Sequence, residues 1–186
     1  MHGGIKIQTG GFLLAEPFMW DSHFRRAVVV LTEHGEHGTH GFMLNKPIGI
    51  ALNDVLASFP KFDAEVHYGG PVATDTLHFI HTAGDLLSQS HKVRNGLWWG
   101  GDLDELVFLV RNDMITPNDV RFFVGYTGWS PGQLYGELAD GAWLTDDGDL
   151  NYIFKSRTRQ MWREILHNRN GSLGVIGDMR EQNFWN

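Results

Sequence analysis

The sequence predicts an α+β domain, or a mixed α/β sheet, rather than a regular series of βαβ units. Short β-branched and aromatic segments, such as 27–31 and 120–124, are typical of buried strands. Other segments, such as 157–167, carry apolar residues at helical spacing and predict amphipathic helices. Because the two kinds of segment alternate irregularly, repeated βαβ winding is disfavoured. The 186 residues contain no repeat or linker, which predicts a single domain over residues 1–186.

Composition narrows the possible functions. The chain has no cysteine, which excludes disulfides, thiolate metal sites and a cysteine nucleophile, and is compatible with a cytoplasmic location. Its formal charge of −7 disfavours a broad electrostatic contact with nucleic acid. Its purest apolar run, 27–31, is far shorter than the roughly 20 residues that span a bilayer, so we expect no membrane interaction.

Turn residues between the apolar segments predict the order of the elements. The predicted strands are 10–15, 27–31, 41–44, 65–68, 76–81 and a hairpin around Asn95-Gly96. A helix is predicted over 50–59, stopped by Pro60, and a second one begins after Asp102, with Glu105 three residues later. The last helix, 157–167, should bury Met161, Trp162, Ile165 and Leu166. Residues 169–186 show no clear period, and we expect a loosely held tail.

The segment 119–143 organises the prediction. After the strand 120–124, Gly125 and Gly128 are expected to reverse the chain tightly. Ser130 can then cap a helix, with Pro131 in its first turn and Gln133 in the third position of a capping box. A glycine turn leading into a helix N-terminus can hold an anionic or polar ligand on its free amides.

A small-ligand site is therefore predicted around this turn. Glycines at its edge would let a ligand approach the backbone, Tyr126 and Trp129 would form flat walls, and Lys46 would add a charge. The complete predicted set is Asn45, Lys46, Gly69, Gly70, Tyr126, Gly128, Trp129 and Gln133. The alternative is structural: the glycines permit backbone crossings, Ser130 caps a helix and Trp129 packs.

The histidines form two groups. His34, His37 and His40 are close enough in sequence to hold a metal, but they lie in a glycine-broken loop, so a solvated hairpin tip is favoured and no cofactor is predicted. His78 and His81 are three apart, which puts them on opposite faces of a strand. Together with His67 they are expected to be partly buried and hydrogen-bonded.

Four segments in series resemble the YqgE/AlgH family, also called UPF0301 or DUF179. They are GFLLAEPFMWDSHFRRAVVVLTEH, GFMLNKP, HYGGPV, and FFVGYTGWSPGQLYGEL with GAWL. The resemblance implies a bacterial cytoplasmic protein with one compact α+β unit, in which a mixed sheet folds toward a pseudo-barrel and helices pack outside. It implies no established activity and no catalytic residues. Some relatives are labelled putative transcriptional regulators because of a phenotype.

Three functional hypotheses follow. The first is a non-enzymatic protein that binds a small ligand or a protein partner. The second is a hydrolase-like enzyme that uses the glycine-turn pocket. The third is a nucleic-acid binder working through the basic last helix, whose charges are Lys155, Arg157, Arg159, Arg163 and Arg169. A lone basic face is usually solvated or paired, here with the acidic loop 146–149, so direct nucleic-acid binding is disfavoured.

Overall fold

The computed structural model describes residues 6–155 and 158–169, which form ten strands and five α-helices. The strands are Phe12–Ala15 (β1), Val28–Gly35 (β2), Gly38–Met43 (β3), Pro47–Ala51 (β4), Glu65–Tyr68 (β5), Val72–His81 (β6), Ser90–Arg94 (β7), Leu97–Gly100 (β8), Val120–Trp129 (β9) and Trp143–Asp146 (β10). The helices are Leu52–Val55 (α1), Leu103–Arg111 (α2), Gln133–Ala139 (α3), Leu150–Phe154 (α4) and Met161–Asn168 (α5).

All ten strands belong to one sheet, in the order β10-β1-β2-β3-β9-β6-β8-β7, with β4 and β5 attached beside β9. The pairing of β5 with β9 is parallel and the other pairs are antiparallel. The α+β class and the mixed sheet predicted from the sequence are therefore confirmed.

Strand β9 joins two parts of this sheet. One edge pairs with β6, while the other pairs first with β5 through Phe122–Val124 and then with β3 through Thr127–Trp129. Gly69 lies where β3 and β5 diverge: its N–H donates to the Val124 carbonyl (2.8 Å), and its carbonyl accepts from the Met43 N–H (2.9 Å). This fork allows β9 to contact three strands.

The sheet curls around one of its faces, which we call the inner face. Side chains from both ends of the strand order meet there in one hydrophobic cluster, including Leu144 of β10 and Val93 of β7. Helix α5 packs on this face through its apolar stripe, Met161, Trp162, Ile165 and Leu166, each buried as the sequence predicts. The expectation that helices pack outside holds for α2 and α3, whereas α4 and α5 contribute to the inner cluster.

Arg94 bridges the two end strands. No backbone pairing joins β7 to β10 among the described residues, so the sheet is open. The Arg94 guanidinium nitrogen Nη1 spans the gap and reaches the carbonyls of Gly10 (3.1 Å), Asp147 (2.9 Å) and Gly148 (2.9 Å). The Arg94 side chain thus connects two end strands that have no backbone pairing with each other.

The predicted helix over 50–59 is wrong for most of its length. Residues up to Ala51 pair with β5, and α1 spans a single turn. After α1 the chain continues as a loop, which the Asn53 side chain stabilises. Its amide donates to the carbonyls of Phe59 and Pro60 (both 3.0 Å) and accepts from the Phe62 N–H (3.0 Å). These bonds satisfy loop backbone that a helix would otherwise have satisfied.

The predicted reversal at Gly125 and Gly128 is also wrong, because β9 continues through both residues to Trp129. The capping box is half formed: Gln133 Oε1 accepts from the Ser130 N–H (2.9 Å), but α3 begins at Gln133, after Gly132 in the left-handed region. Gly141, at φ 78°, follows the end of the helix as predicted.

Other local predictions are confirmed. The strand at 65–68 and the hairpin around Asn95-Gly96 lie where the sequence places them. Asp102 caps α2 by accepting from the Glu105 N–H (3.0 Å). The predicted loose tail, 169–186, lies outside the described residues apart from Arg169.

Candidate functional site

Two of the eight predicted site residues hold neighbouring backbone. The Asn45 side chain accepts from the Val28 N–H and donates to the Arg26 carbonyl, both at 2.8 Å. Lys46 Nζ donates to the Arg25 carbonyl. Both side chains therefore fix the segment that enters β2.

The predicted glycine cradle is filled by the protein's own backbone. A Cβ at Gly69 or Gly70 would overlap the carbonyl of Gly125 or Tyr126, and a Cβ at Gly125 would overlap the carbonyl of Gly70. Gly125 has φ 70°, in the left-handed region that favours glycine. These glycines let two chain segments cross closely, which is the structural alternative that the sequence left open.

The two predicted aromatic walls face different clusters. Tyr126 packs against the inner cluster, and Gly128 lies beside its ring. Trp129 packs on the outer side, where its indole N–H donates to Glu137 (2.9 Å) and Gln133 donates to the same carboxylate (2.9 Å). The eight residues thus lie in three groups: Asn45 with Lys46, the glycines with Tyr126, and Trp129 with Gln133.

Strand register instead brings three histidines to the inner face. Phe123 of β9 pairs with His67 of β5 on one side and with His78 of β6 on the other. His40 of β3 pairs with Gly128, and its ring stacks on Tyr126. Because side chains alternate along a strand, these rings share the face occupied by Phe123 and Phe42.

The rings form a continuous stack. His40 lies between Tyr126 (centroids 4.4 Å apart, planes at 29°) and Trp99 (5.3 Å, 24°). Trp99 stacks in turn on His91 (5.1 Å, 27°). The inner rings are half-buried and His91 is exposed, so one end of the stack faces solvent. We call His40, His67, His78, Trp99, Tyr126 and Arg121 the polar half of the inner face.

The polar half holds every unpartnered buried side-chain polar atom among the described residues. They are both ring nitrogens of His67, Nε2 of His78 and Nε1 of Trp99. Leaving such a group without a partner costs about 1–3 kcal/mol, so folded proteins hold few of them. Their concentration on one surface distinguishes it from the rest of the described protein.

The imidazoles of this surface are uncharged at neutral pH. Burial lowers the pKa of His40 to about 4, with a further contribution from His78. Burial, with Arg121 nearby, also lowers the pKa of His67 to about 4. Backbone groups of Glu65 and Phe122 oppose this shift in part, but neither nitrogen of His67 makes a hydrogen bond with them. Burial likewise lowers the pKa of His78.

Arg121 supplies the positive charge of the polar half. It lies two residues before Phe123 on β9, and its Nη1 donates to the Leu44 carbonyl (3.2 Å). Burial lowers its pKa to about 10, so the guanidinium stays charged at neutral pH. The surface thus combines neutral aromatic rings with one cation.

The remaining histidines have other roles. His81 lies on the opposite face from His78, as predicted, and bonds to the Gly100 carbonyl (3.0 Å) and the Ala83 N–H (3.1 Å). His34 bonds to Thr39 (2.7 Å) within the β2–β3 hairpin. In residues 6–155 and 158–169, no three histidine, aspartate or glutamate side chains are placed to hold a metal.

A cavity of about 280 Å³ lies at the β1–β10 edge. Charged side chains, including Lys6, Asp146 and Arg169, line it. Its polar groups bind one another: Gln8 donates to Asp147 (3.3 Å), and Arg169 contacts the Thr145 carbonyl and Asp146. Their mutual pairing makes this cavity a weaker candidate than the polar half.

Arg169 also bears on the nucleic-acid hypothesis, because it contacts the acidic loop as the alternative predicted. Lys155 and Arg159 are exposed, Arg163 is half-buried, and Arg157 lies outside the described residues. Within the described ranges, no helix combines the length and apolar character needed to cross a bilayer.

Comparison with known proteins identifies the family. Residues 12–174 match DUF179, described as AlgH-like. The chain belongs to the AlgH-like family. UPF0301 proteins of Chlorobaculum parvum and Chlorobium limicola are each 37% identical to it, over 94% and 95% of this chain and 94% of each relative. The resemblance stated from the sequence motifs is therefore confirmed, and these relatives' names assign no activity.

Two solved structures share the fold. The solution structure of AlgH from Pseudomonas aeruginosa matches with a TM-score of 0.74 and 27% identity, covering 95% of this chain and 98% of that one. A crystal structure of a Corynebacterium diphtheriae protein matches with a TM-score of 0.77 at 21% identity, covering 94% of both chains. The second likeness supports the fold alone.

Local sequence patterns separate the histidines of the polar half into two groups and predict that His67 is hydrogen-bonded, whereas neither of its ring nitrogens has a partner. The missing information was the register that pairs both His67 and His78 with Phe123. Alternation along each predicted strand was the available signal, since His40 and Phe42 are two residues apart, as are His78 and Ile80.

Proposed function

We propose that this AlgH-like protein binds a small organic ligand on the polar half of its inner face, and that it acts by binding rather than by catalysis. The observation that carries the proposal is the concentration of unpartnered polar atoms on His67, His78 and Trp99. A ligand that pairs with these atoms recovers the free energy that they cost the unliganded protein. We also propose a cytoplasmic location, with which the cysteine-free composition is compatible.

The side chains indicate the chemistry of the ligand. Neighbouring rings cover both faces of His40 and of Trp99, so a flat, unsaturated ligand would extend the stack at its Tyr126 end. An indole N–H is a donor without acceptor capacity, so Trp99 requires a ligand acceptor such as a carbonyl oxygen or a ring nitrogen. Neutral imidazoles can donate at one nitrogen and accept at the other. The site therefore suits a heteroaromatic ring with polar edges.

The same surroundings favour binding over catalysis. Thr32 Oγ1 lies 2.7 Å from His40 Nδ1, the spacing of a nucleophile and its base. The Thr32 hydroxyl also donates to the His40 carbonyl (3.2 Å), however, so it can only accept from His40 Nδ1, and the imidazole does not serve as its base. For relatives labelled as putative transcriptional regulators, we propose an indirect route, in which the ligand alters contacts with a protein partner.

A thermal-shift panel of nucleosides, nicotinamide, indole and quinoline derivatives tests the proposal. At about 100 times its dissociation constant, a ligand adds about 2.7 kcal/mol, which raises the Tm by about 5 °C or more for a domain of this size. We expect at least one ring compound to do so. The shift should disappear in Tyr126→Leu, which removes one end of the stack.

Tyr135→Leu is the matched control, because Tyr135 also packs its ring on a histidine, His34 (5.7 Å), but on the outer surface. It should retain the shift. A flat response across the panel would contradict ligand binding and favour a protein partner. A response that survives Tyr126→Leu would contradict the location of the site.

A further inference from the structure

The guanidinium of the half-buried Arg121 has few partners. In the described part of the chain, the Leu44 carbonyl is its hydrogen-bond acceptor, and no carboxylate lies within the 4.0 Å of an ion pair. Arginine carries five N–H donors, so most of its bonding capacity is unused. A partly desolvated cation of this kind is normally compensated by an anionic group.

Glu65 is the carboxylate to consider as that group. The parallel register of β5 and β9 places it beside Arg121, and its charge favours the ionised guanidinium. Its side chain is exposed and stays beyond ion-pair distance. Glu65 therefore supports the charge of Arg121 without occupying its donors.

His67 provides a second, independent observation. Its side chain is 5% exposed, and neither ring nitrogen has a partner. It pairs with Phe123, two residues from Arg121 on the neighbouring strand, so the two side chains are diagonal neighbours on one face. An uncharged imidazole beside a guanidinium can donate one N–H to the same acceptor.

We propose that Arg121 and His67 form a subsite for the anionic oxygen atoms of the ligand, a carboxylate or a phosphate. This inference rests on the proposed function, because it assigns the acidic end of a ligand whose ring lies on the stack. Arg121 and Tyr126 are five positions apart along β9, at most about 16 Å at the rise of an extended strand, and the left-handed Gly125 between them shifts the alternation so that both side chains reach the inner face. The ligand class is therefore a flat ring joined to an acidic group by a linker, with the dimensions of a nucleoside phosphate.

Isothermal titration of two matched series tests the subsite. The phosphate series is adenosine, AMP, ADP and ATP, and the carboxylate series is a set of ω-(2-naphthyl)alkanoates of increasing chain length with their neutral carboxamides. The acidic member of at least one series should bind wild type at least 10-fold more tightly than its neutral mate. The gain in affinity from the acidic group should be greatest for the compound that is long enough to reach from the ring stack to Arg121. This gain should fall as the salt concentration is raised.

Arg121→Met removes the charge and keeps a side chain of similar length. It should abolish the gain in affinity from the acidic group, while the affinity for the neutral ring compound stays within about twofold of the wild-type value. Glu65→Gln, which removes the neighbouring carboxylate, should keep or increase that gain. Arg121→Lys keeps a point charge without the planar fork and should retain part of it. The salt series on wild type needs no variant, so the subsite is tested even if Arg121→Met fails to fold.

The outcomes separate the two proposals. If neutral and acidic compounds bind wild type equally well, the anion subsite is refuted while ligand binding stands. If an acidic advantage persists in folded Arg121→Met, the acid binds elsewhere and the subsite is refuted. If neither kind of compound binds, the proposed function itself fails.

Discussion

The two halves of the inner face each contain a tryptophan, and the two tryptophans differ in whether the indole N–H has a hydrogen-bond partner. We call the part of the inner face that is covered by Met161, Trp162, Ile165 and Leu166 of α5 the apolar half. There the Trp162 indole N–H donates to the Ala15 carbonyl at 2.9 Å. In the polar half, the Trp99 indole N–H is buried without a partner. Both indoles pack against the same hydrophobic cluster. The apolar half is built as a core usually is, whereas the polar half leaves hydrogen-bonding capacity unused.

This difference separates stability from binding. In the apolar half, burial of α5 removes large side chains from water and satisfies their polar atoms. In the polar half, each unpartnered group lowers the stability of the fold by about 1–3 kcal/mol. Proteins keep such destabilising groups mainly at functional sites. The apolar half should therefore dominate stability, and the polar half should dominate ligand affinity.

The largest effect should come from Arg94, which bridges the two end strands of the open sheet. Arg94→Ala removes the bridge to the carbonyls of Gly10, Asp147 and Gly148 and should cost about 3 kcal/mol, since hydrogen bonds to charged groups are the stronger ones. Urea unfolding measures the loss. Lys92→Ala, at an exposed position on the same strand, should cost below about 0.5 kcal/mol.

Ligand binding by Arg94→Ala, measured well below its Tm, should stay near the wild-type value. Lost binding with unchanged stability would overturn the division between the halves.

A smaller effect should appear on mild acidification. His40 and His67 have native pKa values of about 4, below the ordinary value of 6.5. As the pH falls from 6.5 toward 4, the unfolded chain takes up protons that the native state refuses, so stability falls over this window. We expect each histidine to account for about 1 kcal/mol between pH 7 and pH 5, allowing for partial exposure.

Urea unfolding at the two pH values measures this loss, and His67→Gln should remove its share. Equal losses in wild type and His67→Gln would show that His67 does not contribute.

Local patterns were sufficient for much of the fold. The strand at 65–68, the Asn95-Gly96 hairpin and the Asp102 cap depend on neighbouring residues, and the structure contains all three. The sequence also predicts the apolar stripe of α5, because its four apolar residues recur at helical spacing. These elements were predictable because the sequence around each one is sufficient to form it.

The failures depend on distant contacts. The local pattern predicts a turn at Gly125, but Gly125 instead allows the close passage of Gly70, a residue far away in sequence. Asn53 converts a helix-like pattern into a loop through bonds to three backbone groups. The polar half required the pairing of β5, β9 and β6 around Phe123, which no local pattern specifies.

The most direct measurement compares Trp99→Phe with Trp162→Phe in both unfolding free energy and affinity for the ring compound identified by the thermal-shift panel. Trp162→Phe leaves the Ala15 carbonyl without its donor and should cost about 1–3 kcal/mol, with affinity nearly unchanged. Trp99→Phe removes an unpartnered N–H and should stay within about 1 kcal/mol of wild type, yet lose affinity at least 10-fold. If Trp99→Phe instead loses as much stability as Trp162→Phe and binds the ring compound as wild type does, the polar half is ordinary core and not a binding surface.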